Sequence, residues 1–255
     1  MKFLIQKIGG KIVHDFTFAL LQCKDYYHWL GEELILFFNE DINFEKFASE
    51  MNPQEWIPVG SVEYVSEYIK KFYPDSVEAL RPLNVPEVLF PFADRPMANV
   101  YCKDDFHKFT DRIPDFRKTK PDIYCKSLDT IKDPFNGPMY YEYDASDFRH
   151  YQVSPVIEIA SEWRVFVFRG SLLDCRRYSG DIFAYPDPKE INKMITAYGD
   201  KAPVAYTLDV AVTPQRKTVV IECHRFFSCG LYGFSDLQKY PIMLSQAWFE
   251  MKNTK

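Results

Sequence analysis

Apolar and polar positions alternate most clearly in the second half of the chain. Runs at 153–159, 162–168, 172–178, 205–212 and 218–224 are rich in Val, Ile, Phe and Tyr with a period near two, and they predict five strands. Between the third and fourth, Asp187-Pro188-Lys189-Glu190 predicts a helix start. Asp caps, Pro takes the first helical position and Glu falls three residues after the cap. Gly199 can end that helix, and 241–252 predicts a last amphipathic one.

The first half mixes both periods. Lys2–Lys7 and 33–38 predict strands, and the aromatic-rich segment 15–31 reads as helical. Ser61 can cap a helix that runs to about Tyr73 and stops at Pro74, with Val65, Tyr68, Ile69 and Phe72 on one stripe. Pro82, Pro86, Pro91 and Pro96 then mark a connector, because proline interrupts helix and sheet alike. Residues 99–103 predict a strand ending in Lys103, 104–138 reads as a polar loop, and 139–143 as a further strand. Helix and strand patterns interleave throughout, so the expected class is a mixed α+β fold.

Alternation also assigns faces. Along 206–212, Thr207, Asp209 and Ala211 share one face, and Leu208, Val210 and Val212 share an apolar one. Along 218–224, Val220, Glu222 and His224 are expected on one face, with Val219, Ile221 and Cys223 on the other. Pro214-Gln215-Arg216-Lys217 is a polar turn, so the two strands should form an antiparallel hairpin. Centring the turn on Gln215 and Arg216 places Asp209 opposite Glu222 and Thr207 opposite His224. Cross-strand partners have Cβ atoms about 4.5–5.5 Å apart. Two carboxylates there repel unless a cation or a proton lies between them, and magnesium prefers oxygen ligands of this kind. A solvated acidic face is the alternative, and spacing alone leaves both open. A second hairpin turns at Arg169-Gly170-Ser171 and sets Arg164 opposite Arg176. Adjacent guanidiniums suit phosphate or carboxylate forks, unless Glu162 or a more distant acid neutralises them.

Bulk properties narrow the setting. Apolar residues make up 47 % of the 255, enough for a packed core in one large domain or two modest ones. The net charge of -5 argues against broad nucleic-acid binding. The 6 cysteines form no CxxC pair, which points to reduced thiols. Cys223, His224 and Cys229 lack a fourth ligand nearby for a zinc site. The opening run Met1-Lys2-Phe3-Leu4-Ile5 is too short for a signal peptide, and no stretch approaches the ~20 apolar residues of a membrane span. A cytoplasmic protein is expected.

The spacing of Asp209, Glu222 and His224 resembles the metal signature of ATP-grasp proteins, an Asp followed by a Glu-x-Asn pair. Ser161-Glu162-Trp163-Arg164-Val165-Phe166-Val167, with Gly170 following, resembles the strand after the hinge in that superfamily. The chain is most similar to the R2K clade, known largely from phages and bacteria, which shares a segment like Ile57-Pro58-Val59-Gly60-Ser61. The resemblance implies two β-sheet lobes around a nucleotide cleft, preceded by a small α/β domain. The boundaries expected are 1–95, 96–157 for the small lobe and 158–255 for the large lobe with the metal site.

The same resemblance implies roles. Lys103, and secondarily Lys108, would contact ATP phosphates. Val156, Ile157, Glu158 and Ile159 would form the hinge that pairs with adenine. Arg164 and Arg176 would hold phosphate or the substrate carboxylate. Asp209, Glu222 and His224 would carry Mg2+, and Ser228 and Gly230 fall where acceptor-binding residues stand. Three features depart from the pattern: His224 replaces Asn, Thr207 stands where relatives carry Arg, and 104–108 lacks glycine. The implied activity is an ATP- and Mg-dependent ligase joining a small-molecule or peptide carboxylate to an amine (or a thiol) through an acyl phosphate. Phosphoryl transfer and non-catalytic ATP binding are the alternatives. If phage-encoded, the chain would act in the host cytoplasm. Tyr140, Tyr141, Tyr143, Phe148 and Tyr151 could stack on a substrate or pack a core.

Overall fold

The computed structural model describes residues 1–40, 42–119, 121–134, 136–139 and 150–254. Tyr140, Tyr141, Tyr143 and Phe148 lie outside the described residues, as does most of the strand expected at 139–143. Among the described residues, no helix is long and apolar enough to cross a membrane.

The chain opens with β1 (Lys2–Lys7), α1 (Asp15–Trp29), β2 (Ile35–Glu40), α2 (Glu45–Glu50), β3 (Ile57–Val59) and α3 (Val62–Phe72). The three strands form a parallel sheet in the order β2-β1-β3. Parallel neighbours need crossover connections, and α1 and α2 supply them. The central strand is buried on both faces, which is why Phe3, Leu4 and Ile5 form a continuous apolar run. Ser61 caps α3 as expected, its Oγ accepting from the Tyr64 N–H at 3.2 Å. The stripe of Tyr64, Val65, Tyr68 and Ile69 is buried.

The proline-rich connector runs along the edge of a later strand. Asn84, at φ 47, accepts the Cys223 N–H through its carbonyl at 2.6 Å, and its side-chain amide donates to the Ser127 carbonyl at 2.8 Å. An asparagine tolerates this left-handed backbone better than most residues. One residue thereby ties together two sheets.

Next come β4 (Ala98–Val100), α4 (Lys103–Thr110), α5 (Phe116–Thr119), β5 (Ile123–Ser127), β6 (Gly137–Met139) and β7 (Tyr151–Pro155), with an antiparallel sheet ordered β4-β7-β5-β6. The segment expected to be a polar loop is therefore largely structured, and Lys103 begins a helix instead of ending a strand. The reason is shallow burial. α4 buries Phe109 and Thr110, and β5 buries one face through Ile123, Cys125 and Ser127. Short elements with one covered face leave most positions polar. β7 also starts and stops earlier than 153–159, so 156–160 is free of strand pairing.

The largest sheet is antiparallel, ordered β11-β10-β8-β9. It comprises β8 (Ser161–Phe168), β9 (Ser171–Gly180), β10 (Ala205–Val212) and β11 (Thr218–Arg225). Arg169 and Gly170 turn from β8 to β9 with φ 51 and 70, the left-handed pair that two-residue hairpins demand. α6 (Pro188–Tyr198) starts on the Asp187 cap, whose side chain accepts from the Lys189 N–H at 2.8 Å. Its Ile191, Met194, Ile195 and Tyr198 cover Val165, Val167, Leu208 and Val210 on one face of the sheet. On the other face Phe166 and Ala205 meet Phe16 and Leu20 of α1 and Met243 and Leu244 of α7 (Tyr240–Lys252). The last helix thus closes a core begun by the first.

Phe166 is fully buried there. Phe166→Ala is expected to cost about 3–5 kcal/mol of folding free energy, seen as a lower urea midpoint.

Candidate active site

The register of β10 with β11 pairs Asp209 with Glu222 and Thr207 with His224, as expected, although Val212 opposite Thr218 centres the turn on Gln215 alone. A β-bulge after Asp209 leaves Ile221 without a partner and puts Val220 opposite Val210. Val220 therefore packs in the helix-covered core with Val210, Val212 and Cys223, and does not share the face of Glu222 and His224. Strict alternation fails there because a bulge inserts one residue and reverses the faces beyond it. Ile221 instead lines the cleft beside Glu222.

Asp209 is 2 % exposed and lies opposite Arg164 on β8. Arg164 grips it through two parallel bonds, Nε to Oδ1 at 2.8 Å and Nη2 to Oδ2 at 2.7 Å, and spends Nη1 on the Gly230 carbonyl at 3.1 Å. The guanidinium also lies over the rings of Tyr232 and Tyr178, which stack on each other at 5.0 Å. Burial alone would raise the Asp209 carboxyl, but the bonds from Arg164 and His224 overcome it and hold it at about 2. Arg176 does lie opposite Arg164. It binds its own acid, Asp174, at 2.8 Å, and Asp174 also accepts from the Ser235 N–H and hydroxyl. Each arginine thus has a separate carboxylate, and neither acid is Glu162.

Glu222 meets the Lys126 ammonium at 2.5 Å and His224 Nε2 at 3.1 Å. Burial would raise its carboxyl too, yet His224 and Lys126 hold it at about 2. His224 Nε2 stands 3.6 Å from Asp209 Oδ2. Burial lowers the affinity of His224 for a proton, but the two carboxylates outweigh it and its pKa is raised. Ligand atoms of Asp209, Glu222 and His224 all lie within 4.8 Å of one another, which suits a metal ion. Two carboxylate oxygens and one imidazole nitrogen form a donor set that fits a divalent cation, with oxygen favouring magnesium. Thr207, fully buried beside His224, has a hydroxyl without a hydrogen-bond partner among the described residues.

Glu222 also faces a cavity of about 390 Å³ between the two antiparallel sheets. Lys126 and Ser154 line it from the smaller sheet, Glu162 and Tyr178 from the larger, and Val156, Ile157 and Ile159 from the segment joining them. Glu158 sits in that segment outside the lining. The Val156 N–H is taken by the Asp122 carbonyl and the Ala160 N–H by Val212. Between them, Ile157, Glu158 and Ile159 make no backbone hydrogen bond among the described residues. Arg95 enters from the connector, bonded only to neutral oxygens: Ser154 Oγ at 3.2 Å, the Ala93 carbonyl at 2.9 Å and the Val220 carbonyl at 3.2 Å. Burial pulls its pKa down to about 10.

Lys103 and Lys108 lie outside this lining and are exposed, Lys108 pairing with Asp105 at 3.4 Å. Lys126 and Arg95 are the cations at the cleft, and sequence reasoning missed both. Lys126 had one visible signal, a lysine in the alternating Ile123-Tyr124-Cys125-Lys126-Ser127 run. Arg95 had none, since it reaches the cleft from a loop.

The carboxyls of Asp209 and Glu222 sit below their ordinary values in the folded chain, so folding favours their ionised forms. The stability they contribute is complete above about pH 4.5 and is lost as pH falls toward 2. Urea unfolding measured from pH 5 to 2 should lose stability with a slope about one proton shallower in Glu222→Gln than in the wild type.

Comparison with curated proteins finds no match. Among solved structures, the chain is similar to N5-carboxyaminoimidazole synthetase from Staphylococcus aureus, with a TM-score of 0.57, 12 % identity, and coverage of 96 % of this chain and 78 % of that one. It is also similar to the macrocyclase MdnC bound with precursor peptide MdnA from Microcystis aeruginosa MRC, with a TM-score of 0.54, 12 % identity, and coverage of 96 % and 100 %. A third likeness is D-cycloserine synthetase DcsG, with a TM-score of 0.53, 10 % identity, and coverage of 98 % and 100 %. At these identities the shared property is the fold. Residues 109–241, just over half of the 255, match the model of the ATP-grasp domain of R2K clade family 2, and the chain belongs to that family of the ATP-grasp superfamily.

Proposed function

We propose that the chain is an ATP- and magnesium-dependent ligase that joins a carboxylate to an amine, or to a thiol, through an acyl phosphate. One observation carries most of the weight: Glu222 lines the nucleotide-sized cavity and also belongs to the Asp209, Glu222 and His224 cluster. A cation there stands beside whatever phosphates enter the cavity. The solved relatives include synthetases and a macrocyclase bound to its precursor peptide. We also keep 1–95, 96–157 and 158–255 as the proposed domains.

Adenine would pair with the unoccupied backbone groups at Ile157 to Ile159, flanked by the side chains of Ile157, Ile159 and Met97. Glu162, which already accepts from the Tyr178 hydroxyl at 3.0 Å, can accept from sugar hydroxyls. Arg95 and Lys126 bring positive charge to the phosphates, the role first assigned to Lys103 and Lys108. Arg164 acts through Asp209, keeping it ionised and oriented, so it is a positioning residue. Arg176 is committed to Asp174. Asp209, Glu222 and His224 would hold Mg2+, which would supply neutralisation of the phosphate charge as it develops.

In the proposed reaction a carboxylate oxygen bonds to the γ-phosphorus, the bond from that phosphorus to the bridging oxygen breaks, and ADP leaves. The amine nitrogen then bonds to the acyl carbon, phosphate leaves with the former carboxylate oxygen, and the nitrogen gives a proton to solvent. Catalysis is positioning and charge neutralisation, so no nucleophilic side chain is required.

Glu222→Gln should lose magnesium-dependent ATP turnover by roughly 100-fold or more with the circular-dichroism spectrum unchanged; undiminished turnover would remove Glu222 from the site. Lys126→Ala should raise KM for ATP about tenfold, near 1.4 kcal/mol, while Lys103→Ala leaves it within about twofold. Incubation with Mg-ATP, hydroxylamine and a mixture of amino acids and short peptides should yield hydroxamates. A stable phosphorylated product without hydroxamate would favour phosphoryl transfer, and tight Mg-ATP binding without hydrolysis would favour a binding protein.

A further inference from the structure

Glu222 has a second exposure. Besides the nucleotide cavity, it lines a separate cleft of about 60 Å³ together with His224. The opposite wall comes from three parts of the chain: the start of α3, the connector through Arg81 and Leu83, and the β5–β6 loop through Ile131 and Lys132. The cleft is far too small for a nucleotide, and it ends on the same carboxylate that borders the proposed phosphate site.

We infer that this cleft seats the carboxylate substrate, and that it selects a carboxylate carried on a small apolar body. The inference rests on the nucleotide reading of the larger cavity. Two kinds of surface meet here. Leu83, Ile131 and Phe227 supply apolar walls, while Arg81, Lys132 and Arg225 supply cations. Among the described residues, Arg81 pairs with the exposed Glu78 at 3.0 Å and Lys132 with the exposed Glu63 at 3.2 Å. Exposed pairs of this kind contribute little and exchange readily for another anion. Lys132 also has φ 57, a left-handed backbone that lysine rarely adopts. Such geometry persists where the surroundings over-determine it, and it concentrates at ligand-binding positions. The loop is indeed over-determined: the Ser127 hydroxyl accepts from the Asp129 and Thr130 N–H groups, and the Asn136 side chain accepts from the Ser127 N–H at 2.7 Å.

A carboxylate in this cleft lies against Glu222 and His224, so a cation shared with the nucleotide would border both reactants. The apolar walls favour an aliphatic stem over a second charge. The substrate class is therefore a small aliphatic monocarboxylate, or a chain terminus that presents one.

The test uses isobutyrate and its uncharged analogue isobutyramide as probes of the full chain, by saturation-transfer NMR with MgADP present. MgADP affinity is measured alongside by calorimetry. Isobutyrate is expected to bind at least tenfold more tightly than isobutyramide. The double variant Arg81→Ala/Lys132→Ala alters two exposed side chains and should fold; it should weaken isobutyrate at least fivefold and leave MgADP within twofold. Isobutyrate that fails to bind, binds no better than the amide, or binds the double variant equally would overturn the inference while MgADP binding stands. Failure of the wild type to bind MgADP would overturn the nucleotide reading and the inference together.

Discussion

The rest of the site depends on the ion pair between Arg164 and Asp209. Both groups are buried in the middle of adjacent strands, and a carboxylate in that position carries a desolvation cost of several kcal/mol. Two parallel hydrogen bonds, a carbonyl from Gly230 and two tyrosine rings offset it. Breaking the pair by removing either partner leaves a lone buried charge. The pair also fixes the segment around Gly230 against β8, and the neighbouring Leu231 N–H is held by Asp15 at the start of α1 at 2.7 Å. A single charge pair therefore connects the large sheet, the segment after β11 and the first helix. Glu222 and His224 take their positions from that frame.

Much of this was legible in the sequence because it is local. A strand period of two and a turn position give Asp209 opposite Glu222, and Arg164 opposite Arg176, but each turn is centred half a residue earlier than expected and a bulge in each hairpin restores the pairing. The Asp187 and Ser61 caps are equally local. What could not be read is of two kinds. The bulge after Asp209 has no residue signature, since no glycine or proline marks it, yet it reverses the faces of Val219, Val220 and Ile221. The partners of the site come from far along the chain. Lys126 is 96 residues from Glu222 by their numbers, and Arg95 is on a loop that only the packing of two sheets brings to the cavity. A family pattern that seeks a lysine at a strand end pointed to Lys103, which opens α4 outside the lining.

The charges of the site close on themselves. Arg164 offsets Asp209 and Lys126 offsets Glu222, so these four side chains carry no net charge together. The two pairs differ in depth. The Arg164 side chain is 8 % exposed and Asp209 2 %, whereas Lys126 and Glu222 are at 18 % and 25 %. A buried bidentate pair is a permanent part of the fold, and the less buried pair exchanges partners more readily. On the proposed reading, Glu222 would hold the divalent cation, and Lys126, released from it, would be free to offset phosphate charge in the same cavity. Asymmetry between the two ion pairs, rather than the number of ligands, is what lets the same four side chains hold the sheet together and receive a nucleotide.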